Sequence, residues 1–341
     1  EFVFGDWSSD VCSSDLAIRG AGMAVNIANE KGGLNGRPFR LVVRSMEGPW
    51  GTGSKQAVDL IFNEKVWALL GSHDGRNAHL VEQAATKSTV VFVSAWPADP
   101  TLAQAFVPWF FNCIPNDIQQ AELLAEDIIT EKNSGRVVII SGKDYDSQLS
   151  LTAFLRAADP GKITDPLIFH YEDYKDDHDK LISRIGKTGS APVILFCNPL
   201  IAHKLFMLIR KNKTDRNIYG SLSLLDEDLL TMNDLIQYDN RLVVPSTTWN
   251  TSLAGSFVRE YRRCFSETPG MIAAFAYDGM NLLLNALEKA GTPDREGIQK
   301  ALEEIEYHGV TGIVRFDDNG NRTGKFTLTL TRRGIPASVI K

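Results

Sequence analysis

The chain has 341 residues, of which 43% are hydrophobic and 23% are charged, and its formal net charge is -6. The length accommodates two domains with separate cores, and the composition is that of a soluble globular protein. The mildly acidic balance argues against a nucleic-acid partner, which requires a basic face, and no apolar run is long enough to span a bilayer.

The first sixteen residues lack the periodicity of a helix or a strand. Residues 7–16 read WSSDVCSSDL, in which Ser-Ser-Asp is twice followed by an aliphatic residue. Neither a basic start nor an apolar run ending in small residues marks a signal peptide. We therefore interpret residues 1–16 as a non-native segment that replaces the natural start of the chain.

A helix, a turn and a strand come next. Alanine, isoleucine and valine recur at three- and four-residue spacing through residues 17–30, which predicts a helix with one apolar face. Two glycines, Gly32 and Gly33, end this helix, and an Asn-Gly turn leads into an apolar, β-branched strand at residues 39–43. An alanine-rich helix face packs closely on a sheet, which indicates an α/β domain.

Strands and helices alternate along the rest of the chain. Further strands are predicted at residues 67–70, 90–94, 136–141, 167–169, 193–197, 218–220, 242–244, 312–316 and 325–331. Further helices are predicted at residues 55–63, 78–87, 118–130, 147–157, 253–265, 272–290 and 295–304. This alternation predicts parallel sheets with helices on both faces, and its restart near residue 118 indicates a second α/β lobe.

Loops at the carboxyl ends of parallel strands are the expected ligand-binding positions. In the first lobe the loop at residues 71–77 leads into a helix, whose free N–H groups and dipole suit a carboxylate. Its candidate residues are Asp74, Gly75, Arg76 and Asn77. The arginine could pair bidentately with an acid group or simply face solvent.

The next two loops of this lobe offer aromatic side chains. Ser94, Ala95 and Trp96 follow the strand at 90–94, and the tryptophan either forms an apolar wall for the ligand or packs the loop. Trp50 is a candidate lid over the site. Residues 48–55 nearly reproduce a phosphate loop, but a serine precedes Lys55, so that the lysine is not followed by the required hydroxyl and a nucleotide site is not expected.

In the second lobe the loops after three strands supply candidates. Lys143–Ser147 precedes a helix, with Asp146 or Ser147 expected as the N-cap. Asn198 follows a strand and could hydrogen-bond a ligand, and the last loop contains Leu222 and Ser223.

No pattern indicates catalysis or a metal site. The histidines form no HxxxH or HExxH set, and no nucleophile elbow is present, so we expect neither an enzyme nor a cofactor nor a metal. Residues 317–321 resemble a calcium-binding loop, but Arg322 occupies the position that requires glycine. We therefore expect a turn here and no calcium site. The cysteines, which form no CxxC pair, are expected to be isolated buried thiols: Cys12, Cys113, Cys197 and Cys264.

Several segments together resemble type I periplasmic solute-binding proteins, most closely the leucine/isoleucine/valine-binding proteins of ABC transporters. The segments follow one another in the family's order: Arg19-Gly20 with the helix ending at Glu30, Gly32–Arg37, Val107–Phe111, Ala274–Gly279, Gly309–Gly312 and Phe316–Gly320. The resemblance covers residues 17–331.

The resemblance implies an α/β fold of two lobes, each a mostly parallel sheet flanked by helices. The chain would cross between the lobes three times, near residues 115–117, near 246–249 and within 321–325. Lobe 1 would then comprise residues 17–116 and 249–322, and lobe 2 residues 117–248 and 323–341. Met46 and Asp74 stand where many relatives carry an early disulfide, so no such bridge is expected.

The resemblance also assigns roles to candidate residues. Relatives hold the α-carboxylate of their ligand at the positions of Gly75, Arg76 and Asn77, usually with serines, and a family tyrosine that covers the ligand matches Tyr145. The glutamate that relatives place against the ligand's ammonium is replaced by Leu222. An ammonium in a closed cleft needs a compensating charge, which puts a standard α-amino acid in doubt. Other carboxylates could substitute: Asp74, Asp146 and Asp226.

The implied function is that of a periplasmic or otherwise extracytoplasmic substrate-binding subunit of an ABC importer. It would capture a small polar or carboxylated solute, such as an amino acid or an analogue, in the cleft between the lobes by hinge closure. Its partners would be the solute and a membrane permease, and we expect a monomer. The alternative is a ligand-sensing regulator or receptor domain of the same fold, of the amide-sensor type. A signal peptide in the full gene would favour transport, and its absence would favour a sensor.

Overall fold

Apolar strands alternate with amphipathic helices along the chain, and these elements form two compact units. The computed structural model describes residues 2–4, 15–46, 51–71, 74–104, 108–130, 136–158, 163, 165–212, 216–291 and 294–339. Unit 1 comprises Glu1–Asn116 and Thr247–Lys325, and unit 2 comprises Asp117–Ser246 and Phe326–Lys341.

Short strands and longer helices make up both units. The strands are β1 (Phe2–Phe4), β2 (Phe39–Leu41), β3 (Ala68–Gly71), β4 (Val91–Ser94), β5 (Phe110–Asn112), β6 (Arg136–Ser141), β7 (Asp165–His170), β8 (Val193–Phe196), β9 (Ile218–Gly220), β10 (Leu242–Thr247), β11 (Tyr307–Gly309), β12 (Gly312–Phe316), β13 (Arg322–Thr323), β14 (Phe326–Arg332) and β15 (Ile335–Pro336). The helices are α1 (Asp15–Glu30), α2 (Thr52–Phe62), α3 (Gly75–Lys87), α4 (Thr101–Gln104), α5 (Asp117–Thr130), α6 (Tyr145–Ala157), α7 (His178–Gly186), α8 (Pro199–Lys211), α9 (Met232–Gln237), α10 (Thr251–Phe265), α11 (Met271–Ala290) and α12 (Arg295–Glu303). Within the described ranges, 3-10 helices lie at Tyr171–Asp173 and Leu222–Leu225.

In unit 1 the strands β3, β4 and β5 pair in parallel, so that Gly71, Ser94 and Asn112 lie side by side at their carboxyl ends. Every residue of these strands is buried, which explains why their sequences are continuously apolar rather than alternating. Strand β1 pairs in parallel with β2. No strand was expected in residues 1–16, and three residues are too short to show a period.

The small residues of α1 allow it to lie against α11. A Cβ built on Gly20 would stand 2.2 Å from the carbonyl oxygen of Ala273, which places the two helix backbones in direct contact. Ala17, Ala21 and Ala24 are fully buried on this side, whereas Asn26 and Glu30 are exposed. The predicted helix with one alanine-rich face is therefore confirmed.

Unit 2 is built around a seven-stranded sheet in the order β15-β14-β10-β9-β8-β6-β7. The strands β7, β6, β8, β9 and β10 pair in parallel, whereas β14 and β15 pair antiparallel. The residues of β8 are all buried. The expected α/β fold with mostly parallel sheets is confirmed.

The cysteines differ in exposure, contrary to the expectation of uniformly buried thiols. Cys113 and Cys197 are free and buried, but Cys264 is free and exposed, so the expectation is wrong for this residue. It lies near the end of α10, on a face that it shares with the exposed Glu260–Arg263 ion pair. Cys12 lies outside the described residues.

Burial should make the thiols differ in reactivity. Desolvation raises the pKa of Cys113 to about 12 and also raises the pKa of Cys197, so neither forms the reactive thiolate near neutral pH. On brief treatment of the native protein with iodoacetamide at pH 8, we expect modification at Cys264 and not at Cys113 or Cys197, as read by peptide mass mapping. Unfolding in urea should make both buried thiols reactive. Rapid native labelling of Cys113 or Cys197 would contradict the packing described here.

Candidate functional site

In unit 1 the parallel pairing places two predicted ligand loops next to each other. Gly71 ends β3 and pairs with Ser94, the last residue of β4. Asp74, Gly75, Arg76 and Asn77 follow the first strand, and Ala95 and Trp96 follow the second. Ser72, His73 and the proposed lid Trp50 lie outside the described residues.

Helix α3 begins with a carboxylate cap of its own. Asp74 has extended backbone angles, and its Oδ1 accepts a hydrogen bond from the Asn77 backbone N–H at 2.8 Å. The Asn77 side-chain amide donates to Asp74 Oδ2 at 2.7 Å. This carboxylate already offsets the positive end of the helix, which weakens the predicted anion cradle. Gly75 is buried, and Arg76 is exposed, which corresponds to the solvent-facing alternative for the arginine.

The second loop is buried and aromatic. Ser94 and Ala95 are fully buried, and the Trp96 ring lies 6.4 Å from the Phe275 ring of α11, with only 4% of the residue exposed. The Ser94 hydroxyl has no hydrogen-bond partner among the described residues. The tryptophan therefore packs its loop against α11, as one of the two alternatives for this residue predicted.

Trp249 approaches the same phenylalanine and was not among the predicted site residues. Its ring lies 6.3 Å from that of Phe275 at an interplanar angle of 90°, and its indole N–H is buried without a partner in the described part of the chain. Residues 247–250 alternate between buried and exposed. The sequence of these residues, Thr-Thr-Trp-Asn, shows no matching alternation of apolar and polar residues, so it contains no local signal for Trp249.

In unit 2 the predicted loops also follow adjacent parallel strands. Ser141 of β6 pairs with Phe196 of β8, and Leu195 of β8 pairs with Gly220 of β9.

Asp144 is the N-cap of α6, because its Oδ1 accepts a hydrogen bond from the Ser147 N–H at 3.0 Å. The expectation of Asp146 or Ser147 as the N-cap is therefore wrong. The cap precedes the helix by one residue, and Tyr145 is half-buried at the first helical position.

The remaining candidates of unit 2 have local roles. Asn198 is exposed and caps α8 by accepting from the Leu200 N–H at 2.9 Å. Leu222 is fully buried, and its N–H donates to Gln120 Oε1 at 2.9 Å. Ser223 is exposed, and its hydroxyl lies 2.7 Å from that of Ser221.

The carboxylates suggested as substitutes for the missing glutamate hold backbone groups or face solvent. Asp226 is 2% exposed, and its Oδ1 accepts from the N–H groups of Asp228 and Leu229. Asp146 is exposed in the first turn of α6. Glu227, which the sequence did not single out, is also buried.

Unit 1 also contains two buried charged residues, Asp278 and Arg322, which the sequence did not identify as neighbours. Asp278 accepts from the Val310 N–H at 2.9 Å, the Thr311 N–H at 2.7 Å and the Thr311 hydroxyl at 2.6 Å. Arg322 donates to the Thr311 hydroxyl and to the carbonyls of Cys113, Thr311 and Ile313.

Desolvation raises the pKa of Asp278 and lowers that of Arg322 to about 10, and both residues are essentially unexposed. The hydrogen bonds that Asp278 accepts from Thr311 and Val310, and the nearby positive charge of Arg322, act against this desolvation and favour the ionised carboxylate. The hydrogen bonds named here for Asp278 and Arg322 go to the backbone or to Thr311, which indicates a structural role.

No group of three or more His, Cys, Asp or Glu side chains that could hold a metal occurs within the described ranges. No helix among the residues that the structure covers is both long and apolar enough to cross a membrane. Asp317 accepts from the N–H groups of Asn319 and Asn321, so the predicted turn at 317–321 is confirmed.

The sequence matches the family model described as "Periplasmic binding protein" over residues 6–332. No curated protein matches the chain.

Solved structures share the fold over nearly the whole chain. The branched-chain amino acid transporter substrate-binding protein LivJ from Streptococcus pneumoniae, in complex with isoleucine, is 20% identical, with a TM-score of 0.84 and coverage of 98% of this chain and 97% of that one. A substrate-binding protein from Desulfitobacterium hafniense in complex with Leu is 24% identical, with a TM-score of 0.80 and 98% of each chain covered. A solute-binding protein from Rhodopseudomonas palustris, in complex with 3,4-dihydroxybenzoic acid, is 16% identical, with a TM-score of 0.80 and coverage of 97% and 93%.

Proposed function

Because the chain belongs to the periplasmic binding protein family, we propose that it is the extracytoplasmic substrate-binding subunit of an ABC importer. In this role it captures a small polar or carboxylated solute between its lobes by hinge closure and delivers it to a membrane permease. The observation that supports this most strongly is the family match, which extends over residues 6–332.

The solute would contact the loops at the carboxyl ends of the parallel strands in both units. In unit 1 these loops contain Asn77, Ser94 and Trp96, and in unit 2 they contain Tyr145 and Asn198. Polar side chains next to buried aromatic rings suit a solute with one polar end and an apolar body. The amino-acid and dihydroxybenzoate complexes of the structural relatives have this character.

The function requires binding and release without chemical change of the solute. We propose that the protein acts as a monomer, with the solute and the permease as its partners and with no cofactor. Closure around a solute stabilises the folded chain by mass action, because the unfolded chain does not bind it.

A thermal-shift screen tests this function. We expect at least one class among amino acids, amides, short carboxylates and polyols to raise the melting temperature, and a solute at one hundred times its dissociation constant should add about 2.7 kcal/mol of stability. A response to polyols or amides alone would contradict the proposal that the solute is carboxylated. The absence of any response across the four classes would contradict a solute-binding function.

A further inference from the structure

Unit 1 contains a cavity of about 480 Å³, which is lined in part by residues of the strands β11, β12 and β13. This volume is within the range of small-molecule binding sites. Every lining residue belongs to unit 1, and none of them is among the residues predicted to bind the solute. The polar and charged lining includes Thr247, His308, Arg315, Arg322, Thr323 and Lys325.

The lining of this cavity is basic although the chain as a whole is acidic. Arg315, Arg322 and Lys325 contribute three cationic side chains, and no aspartate or glutamate lines the cavity among the described residues. The formal net charge of the chain is -6, so this excess of positive charge is local. The nearby carboxylate of Asp278 offsets the charge of Arg322. Arg315 and Lys325 therefore remain to attract an anion into the cavity.

Both of these cations are available to a ligand. Lys325 is exposed and forms no ion pair with any residue that the structure describes. Arg315 Nη2 lies 2.7 Å from Oε2 of Glu306, but the two side chains are 54% and 47% exposed. Exposed ion pairs contribute little to stability, so an anion in the cavity can replace Glu306 at Arg315 at small cost.

Thr247 adds a buried hydroxyl to the same cavity. The residue is 2% exposed, and its Oγ1 has no hydrogen-bond partner among the described residues. Native proteins keep few such groups, and a bound ion is one explanation for them. Because no hydrogen bond fixes this side chain, rotation about its Cα–Cβ bond can turn the hydroxyl toward an anion without breaking a bond. A hydroxyl that donates to a charged oxygen forms a strong hydrogen bond.

We propose that this cavity binds a small organic anion with two or more negative charges, through Arg315, Lys325 and the Thr247 hydroxyl. A second negative charge on the ligand allows both cations to form an ion pair, which a ligand with one charge does not achieve. The site is additional to the solute site of the proposed function and does not depend on that function.

Calorimetric titration of the full chain at low ionic strength with citrate, glycerol 3-phosphate and acetate tests the proposal. Citrate presents carboxylates and glycerol 3-phosphate presents a phosphate, and at least one of the two should bind. Acetate has a single charge and should bind at least ten-fold more weakly than the tighter of these anions.

Lys325→Gln should weaken binding of the tighter anion roughly five-fold, the upper end of the range for an exposed ion pair. Lys300→Gln is the matched control, because Lys300 is an exposed lysine of α12 that does not line the cavity. This control should leave the affinity unchanged.

Thr247→Val separates a role in binding from a role in packing. Valine has nearly the same shape but lacks the hydroxyl, so this variant should bind the anion roughly ten- to a hundred-fold more weakly, the range for a hydrogen bond to a charged group. Because the hydroxyl has no partner among the described residues, its removal should not lower the melting temperature of the protein without ligand.

The outcomes distinguish this proposal from the proposed function. Binding of neither citrate nor glycerol 3-phosphate would overturn the anion site, as would acetate binding as tight as theirs. An affinity that Lys325→Gln or Thr247→Val leaves unchanged would also overturn the site as proposed. A solute that raises the melting temperature equally in the parent and in Thr247→Val binds elsewhere, so the proposed function would stand even where the anion site fails.

Discussion

Replacing Asp278 with asparagine is expected to lower the free energy of unfolding by about 3–5 kcal/mol, the range for leaving a buried charge without its compensating partner. The substitution leaves the buried Arg322 without its compensating charge. It also turns an amide NH2 toward the N–H groups of Val310 or Thr311, which both need an acceptor. Urea unfolding monitored by circular dichroism measures the change.

Asp318→Asn is the matched control, because Asp318 is an exposed aspartate in the turn before β13. Its free energy of unfolding should change by no more than about 0.5 kcal/mol. The double variant Asp278→Asn, Arg322→Met should lose less stability than the two single losses added together, since it leaves no lone charge. A loss below 1 kcal/mol for Asp278→Asn would show that the pair does not have the hydrogen bonds described.

Replacing Gly20 with alanine is expected to destabilise the protein by about 1–3 kcal/mol, the usual cost of overpacking. The added Cβ would stand 2.2 Å from the backbone oxygen of Ala273, and a backbone atom cannot rotate away as a side chain can. Helix α1 must therefore move away from α11 or bend. The same urea unfolding experiment measures the loss.

Gly22→Ala is the control in the same helix. Its Cβ would meet only a Leu41 methyl group at 3.9 Å, an ordinary contact distance. Because alanine favours helix over glycine by roughly 0.8–1 kcal/mol, this variant should be as stable as the parent or more stable. Equal effects of the two substitutions would contradict the close approach of α1 and α11.

The fold was largely predictable because long periodic segments identify themselves. The apolar face of α1 and the buried run of β4 appeared at the expected positions, and the family match and the solved structures confirm the resemblance drawn from the sequence. Strand β5 was missed, although it is as short and as fully buried as β9, which was predicted at its observed bounds. Helix α8 was also missed, although Asn198 followed by Pro199 is a recognisable helix start.

The site was less predictable, because its properties depend on backbone angles and on contacts distant in sequence. The cap of α6 was misplaced by two or three residues, since Asp144, Asp146 and Ser147 are all good capping residues and only the backbone angles distinguish them. The positions of Trp249 and Arg322 depend on Phe275 and Thr311, which lie elsewhere in the chain. The ligand roles of Gly75, Arg76, Asn77 and Tyr145 stay predictions.

Native mass spectrometry tests whether the protein binds a solute without transforming it. The chain is incubated with a solute that raises its melting temperature, desalted, and analysed intact and after release of the solute. We predict one solute per chain and recovery of the solute at its original mass. A released molecule of altered mass, or no retained solute at concentrations that produce the thermal shift, would contradict a solute-binding protein.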